Sequence, residues 1–277
     1  MRNPFGSAWG PKTGLTPRMI DMVRVLLVVV AFVIAAIPAL AEDDQKVWTG
    51  EASASISNQT GTTSSFSGTA DAKATRTWEK DEATARLTAT YGTAKQKGAD
   101  EETNQDYQAL LGEWKHRFSE RLFSAVSTEV SRDSTQDRRL RFRFDVGPGY
   151  RVWVGDDPAK SHFDVSAGIG YRQEIYDGNS GAAGKDTDVD QFADAVIGFE
   201  YKKLLFDEKV EWTHTGSAAM PLNSISAYIL KTEGIVGIPL TAAWSFRLSA
   251  MVEYTNEVPD RTFRTRTNTT VGLGYKF

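Results

Sequence analysis

The sequence predicts an all-β chain: a single transmembrane antiparallel up-and-down β-barrel of about twelve strands over residues 42–277, after an N-terminal extension and secretory signal peptide at 1–41. Three observations predict it. Segment after segment alternates apolar and polar residues with a period of two, the mark of a strand with two unlike faces. The segments number about twelve, and an even count is what a bacterial single-chain barrel requires. An export signal precedes them.

That signal centres on Val25 to Leu40, VLLVVVAFVIAAIPAL, with Arg18 and Arg24 before it. The run is shorter than the ~20 residues of a spanning helix. It ends in Ala39-Leu40-Ala41 after Pro38, a small-x-small site, so cleavage is expected after Ala41. A retained membrane anchor is the alternative. Residues 1–18 look unlike a signal n-region, which makes Met19 or Met22 a candidate translation start. The chain has no cysteine, so no disulfide framework is expected. Its net charge of −4 supplies no positive field for nucleic acid. About 236 residues follow the expected cleavage site, enough for one all-β domain.

Val47 to Ser57 reads as the first strand, and Asn58 to Ser65 as a loop. Phe66 to Trp78 is the second strand, with Ala70, Ala72 and Ala74 against Asp71, Lys73 and Thr75. The third, Ala83 to Ala94, sets Leu87 and Tyr91 against Arg86 and Thr88. The fourth, Gln105 to Phe118, shifts parity near Gly112, where a bulge is expected. The fifth carries Leu122, Val126 and Val130 on one face.

Strand six is the clearest. Leu140, Phe142, Phe144, Val146, Pro148, Tyr150, Val152 and Val154 share one face; Arg139, Arg141, Arg143, Asp145, Arg151 and Trp153 share the other. Strand seven sets Phe163, Val165, Ile169 and Tyr171 against Asp164, Ser166 and Arg172. Asp177 to Asp188 is the longest loop. Strand eight sets Ile197, Phe199 and Tyr201 against Asp194 and Glu200. Strand nine spans Glu208 to Thr215, and strand ten, whose alternation is poor, about Ser224 to Gly237. Strand eleven sets Trp244, Phe246, Leu248 and Val252 against Arg247 and Glu253. The last strand, Arg266 to Phe277, ends its apolar face in Val271, Leu273, Tyr275 and Phe277.

Connectors after odd-numbered strands read as longer than most of those after even-numbered ones. That places short turns and both termini in the periplasm and the longer loops outside.

A soluble lipocalin-like barrel in the periplasm would also alternate, with its apolar face inward. Three features favour apolar-out. Trp48, Trp78, Tyr91, Tyr150, Tyr171, Tyr201, Trp244, Tyr254 and Tyr275 sit near the ends of the apolar faces, as an interfacial girdle does. The opposite face carries both charge signs and many glycines. The apolar faces are rich in small residues that pack a core poorly. An arginine facing lipid at the midplane costs about 2–4 kcal/mol, so strand six is pinned with its arginines inward.

The lumen-lining candidates are therefore Arg86, Arg139, Arg141, Arg143, Arg151, Arg172 and Arg247, with Glu51, Asp71, Asp145, Asp164, Asp194, Glu200 and Glu253. Two mechanisms fit them. The charges could line a narrow water-filled passage and bias permeation of ions or small solutes. They could instead pair across the lumen and close it, leaving external loops to bind a ligand or partner. Twelve strands enclose less space than a sixteen-stranded porin, and the arginine excess on strand six points to a preference for anions.

Other chemistry finds little support. His116, His162 and His214 have no i+4 partner and no nearby cysteine, so no metal-ligand spacing is present. Gly168-x-Gly170 and Gly272-x-Gly274 lack the following helix of a dinucleotide site; as inward glycines they make room for bulky neighbours. An outer-membrane phospholipase-like Ser–His pair using His116 is the enzymatic alternative. No enzyme activity, cofactor or metal is expected.

In sequence the chain resembles the YdiY-like family of salt-induced outer membrane proteins. The likeness runs over nearly all of the mature chain. It rests on Trp48-Thr49-Gly50-Glu51, Phe118-Ser119-Glu120-Arg121-Leu122-Phe123, Gly147-Pro148-Gly149-Tyr150-Arg151, Gly168-Ile169-Gly170-Tyr171-Arg172, Tyr254-Thr255-Asn256-Glu257-Val258-Pro259 and the closing Thr269 to Phe277. It implies a Gram-negative outer-membrane barrel and no catalytic residues. The end Val271, Leu273, Tyr275 and Phe277 resembles the signal read by the barrel-assembly machinery. The expected partners are thus membrane lipid, that machinery and periplasmic chaperones; a monomer is expected.

Overall fold

The computed structural model describes residues 48–59, 63–96, 101–158, 160–177, 187–223, 225–256 and 264–276. The proposed signal peptide, the tip of the Asp177 to Asp188 loop and Phe277 lie outside them.

Twelve strands form one closed antiparallel barrel, each paired with its sequence neighbours and β1 with β12. They are β1 (Trp48–Gln59), β2 (Thr63–Thr77), β3 (Asp81–Gln96), β4 (Glu101–Arg117), β5 (Leu122–Asp133), β6 (Arg138–Val154), β7 (His162–Asp177), β8 (Thr187–Leu205), β9 (Val210–Pro221), β10 (Ile229–Pro239), β11 (Trp244–Thr255) and β12 (Thr265–Lys276). Short 3-10 turns at Ser134–Gln136 and Ile225–Ala227 interrupt two connectors. The seam closes along Glu51–Ser55 of β1 against Gly272–Lys276 of β12.

The alternation sets the barrel's polarity. Ile169 is 65% exposed and Leu110 54%, whereas Arg138 and Arg172 are 1% exposed and Glu253 2%. This inverts the soluble pattern, in which charged side chains are almost never fully buried. Leaving a large aliphatic side chain in water forgoes about 1.5–3 kcal/mol of burial, and here the outer surface carries many of them. Hydrocarbon is the solvent that suits it, and a closed barrel leaves no unpaired backbone edge there.

An aromatic belt marks one end. Trp78, Trp114, Phe118, Tyr150, Trp212, Trp244 and Tyr275 are exposed around the end that carries the turns, the start of β1 and the finish of β12. Trp244 and Tyr275 meet edge to face across β11 and β12, 5.1 Å between ring centres.

The strands depart from the sequence expectation in four places. No bulge occurs at Gly112: β4 pairs continuously with β5 there. The irregularity lies further up, where Gln105 pairs with Gly92 but Thr103 with Thr93. Tyr107, Ala109 and Leu111 face inward with Glu113 and Lys115, because a polar lumen tolerates some apolar wall. On β6 a bulge between Arg138 and Leu140 shifts parity at the loop end. It turns Arg138 inward and leaves Arg139 exposed, so Arg139 does not line the lumen. A second irregularity between Arg151 and Trp153 puts Trp153 in the outer aromatic belt, stacked on Tyr201. β9 runs on to Pro221, well past Thr215, and β10 starts only at Ile229.

The connectors after β1, β3 and β5 are also shorter than expected. β4 and β6 have 17 residues and β8 has 19, against the ~9–11 that cross hydrocarbon. The strands project past the membrane and absorb residues that read as loop.

Glycines allow the tightest packing. At Gly168 an added Cβ would collide with the backbone carbonyl of Val146, and at Gly170 with the carboxylate of Asp145. The ring of Phe123 occupies the place of a side chain at Gly149.

Candidate functional site: the charged lumen

Period two places the polar half of every strand in the lumen, and there the charges meet one another. At the turn end, Arg151 of β6 grips Asp164 of β7, Nε to Oδ1 at 2.7 Å and Nη2 to Oδ2 at 2.9 Å. Lys115 of β4 reaches Glu200 of β8 at 2.8 Å, and Arg247 of β11 reaches Glu51 of β1 at 2.7 Å.

At mid-height Arg86 of β3 donates to both carboxylate oxygens of Glu233 on β10, each at 2.8 Å, and to Asp71 on β2 at 2.7 Å. The planar guanidinium fork suits this double grip. Arg143 and Asp145 form an ion pair along β6 at 2.7 Å.

Towards the loop end most of the charges are buried. Arg141 donates to Glu174 of β7 at 2.5 Å and to Glu253 of β11 at 2.9 Å. Arg172 lies 3.1 Å from Asp194 and donates to the carbonyl of Ala227 at 2.8 Å, tying the 3-10 turn down. Arg266 of β12 reaches Asp133 of β5 at 3.2 Å and stacks on Tyr107.

The partners in Arg86–Glu233, Arg141–Glu253 and Arg266–Asp133 stand on strands five places apart around a twelve-strand ring. These pairs therefore cross the lumen. Beside them a cavity of about 640 Å³ remains, walled by hydroxyls such as Ser55, Thr69, Thr90 and Thr270, with Arg86 and Glu233 in its lining.

The structure thus brings Arg86, Arg141, Arg143, Asp145, Arg151, Arg172, Asp194, Glu200, Arg247 and Glu253 into the interior, each beside an opposite charge. It does not bring Arg139 there. The arginine excess on β6 is matched by Glu174, Glu253 and Asp145, so it leaves no free positive charge for a solute. Lys73 and Lys202 do: they face the lumen from β2 and β8, opposite one another in the ring. Neither is in a direct ion pair with a carboxylate among the described residues; Glu200 lies within electrostatic reach of Lys73 and Glu211 of Lys202, and Lys73 also feels Lys202, Lys115 and Arg86.

Sequence reasoning missed Glu174, Glu233, Glu129, Lys115, Lys231, Arg138 and Arg266. Two-residue spacing from residues already assigned would have found Glu174 from Arg172. Continuous parity through Gly112 would have found Lys115.

Val271, Leu273 and Tyr275 face outward, with Val271 and Leu273 beside Leu248 and Phe246. His116 lies on the outer face, its Nδ1 2.8 Å from Asp81 Oδ1. Ser124 is its register neighbour, yet no hydrogen bond joins the two among the described residues.

A closed barrel with an aliphatic exterior, an aromatic belt and a charged interior is a transmembrane β-barrel of the outer-membrane kind. The chain belongs to the family described as "Protein of unknown function, DUF481", which matches residues 52–277. No curated protein matches it. Among solved structures it is similar to the translocator domain of autotransporter NalP from Neisseria meningitidis, at 13% identity and a TM-score of 0.48, covering 93% of this chain and 98% of that one. It is similar to the NanC porin at 10% identity and 0.45, covering 83% and 100%. It is also similar to the COG4313 outer membrane channel from Pseudomonas putida F1, at 10% identity and 0.44, covering 83% and 94%.

Proposed function

We propose that this barrel is a narrow, non-enzymatic passage through the Gram-negative outer membrane for ions and small polar solutes, with its turns and both termini in the periplasm. The observation that carries the reading is the Arg86–Glu233 bridge. It spans the lumen, yet the Arg86 side chain is 29% exposed and opens onto the polar cavity. Charged groups held in that way line a hydrated constriction and set which ions pass. The resemblance to salt-induced outer membrane proteins agrees with this placement. So does an export signal at 1–41, with chaperone-assisted delivery to the assembly machinery.

The test is single-channel conductance of the refolded chain in a planar bilayer. Small, discrete steps are expected, and the double variant Arg86→Ala/Glu233→Ala should pass several times more current. A closed barrel that binds through its loops is the second reading, and the fully buried cluster of Arg138, Arg141, Glu174 and Glu253 favours it. Silence from both proteins, with the barrel folded, would establish that reading and end the first.

A further inference from the structure

We propose that His162, Asp164 and Glu200 form a binding site for a divalent transition-metal ion, zinc by the nature of its donors, at the turn end of the lumen. The strand period builds it. His162 and Asp164 are two residues apart on β7 and share its inward face, and Glu200 of β8 is the register partner of Asp164. One donor atom from each lies within 4.8 Å of the other two.

The histidine supplies the independent observation. It is 6% exposed, and its Nδ1 stands 2.8 Å from the carbonyl of Pro158. A carbonyl only accepts, so Nδ1 carries a proton and Nε2 is the ring atom left to face the lumen. That nitrogen is aimed between two carboxylates, 3.8 Å from Asp164 Oδ2 and 3.8 Å from Glu200 Oε1, beyond hydrogen-bond reach. A ring nitrogen and two carboxylate oxygens converging in this way offer a cation three donors.

A backbone carbonyl on the far ring nitrogen is the usual support of a metal-ligating histidine. Zinc held at about 2.0–2.2 Å sets its ligands roughly 3.4 Å apart, so the two His162 distances of 3.8 Å need to close by only a few tenths of an ångström and the carboxylate oxygens, within 4.8 Å of each other, by at most about 1.4 Å. Imidazole with two carboxylates suits zinc and its neighbours better than magnesium or calcium, which prefer all-oxygen cages. Water in the lumen would fill the remaining position.

Two cations share these carboxylates. Arg151 is bonded to both oxygens of Asp164, and Lys115 to Glu200 Oε2. Both leave lone pairs free but lower the site's negative charge. Lys202 also faces His162 across the β7–β8 ladder. Affinity below that of a closed structural zinc site follows. The site stands whether or not the lumen conducts.

The experiment is calorimetric titration of untagged, refolded barrel with Zn²⁺ at pH 7.5, with Co²⁺ absorption as a second readout of coordination. One ion per chain is expected. His162→Gln and, separately, Asp164→Asn should weaken binding more than about tenfold, in protein whose heat-modifiable migration shows a folded barrel. His214→Ala, on the outer face, should bind as the unaltered chain does. Absence of binding in the folded barrel, or binding that survives both substitutions, would overturn the proposal. So would a β7–β8 site that responds to pH alone and not to zinc, since a proton would then be the shared cation.

Discussion

Arg141 and Glu253 meet at 2.9 Å across the lumen, although β6 and β11 stand five places apart in the ring. Glu253 also lies 3.6 Å from Arg266 and 3.8 Å from Arg138. One carboxylate thus answers three guanidinium groups from two strands, β6 and β12. Removing one partner of a buried pair leaves an uncompensated charge, which costs about 3–5 kcal/mol. Glu253→Ala should lower folding stability by that order, read from urea titrations of the barrel in lipid. Glu253→Gln should lose less, because its amide oxygen still accepts from Arg141. Equal stability of Glu253→Ala and the unaltered chain would mean the cluster is water-filled.

Ion preference follows from the unpaired lysines. The arginines of β6 are neutralised locally, whereas Lys73 and Lys202 face each other across the ring. If ions pass, anions should be favoured, and Lys73→Glu with Lys202→Glu should move the reversal potential in a salt gradient towards cation preference. Arg143→Gln, which also frees Asp145, should move it far less. A reversal potential indifferent to the lysine pair would remove these residues from the path.

The orientation of the strands can be checked with one side chain of each parity. Leu248 points out of β11 and is 43% exposed, while the next residue, Ser249, bonds Thr270 inside the barrel at 2.6 Å. Leu248→Arg should cost about 2–4 kcal/mol, as for a cation near the bilayer midplane. Ser249→Arg enters a hydrated lumen and should cost much less. The reverse order in refolding titrations would turn the barrel inside out.

Close strand approach gives a fourth test. At Gly168 a Cβ would strike the Val146 carbonyl, which is backbone and cannot swing away; at Gly234 nothing lies within 4 Å. Gly168→Val should destabilise by at least the roughly 1–3 kcal/mol of overpacking, seen as an earlier loss of heat-modifiable migration. Gly234→Val should fold like the unaltered chain.

Most of the barrel was legible in the chain because a strand's two faces repeat every second residue. Strand eleven shows this best: Trp244, Phe246, Leu248 and Val252 face out, and Arg247 and Glu253 face in. The same rule failed where the ladder itself slips. A bulge adds one residue to one strand, so Arg138 took the place expected of Arg139, and Trp153 left the lumen for the aromatic belt. The apparent slip at Gly112 was of a different kind. Tyr107 and Leu111 are apolar residues on a polar wall, and hydrophobicity alone assigned them to the wrong side.

By itself, the sequence determined the strand count, the sidedness of nearly every strand and the charge of the interior, since these depend on local periodicity. Only the tertiary structure decided which charges meet. Arg86 finds Glu233 from 147 residues away and Arg141 finds Glu253 from 112. Their encounter depends on ring closure, strand stagger and the reach of long side chains across the lumen. None of these leaves a mark on the residues between them, and the gathering of His162, Asp164 and Glu200 around one point is settled in the same way, by the register of β7 on β8.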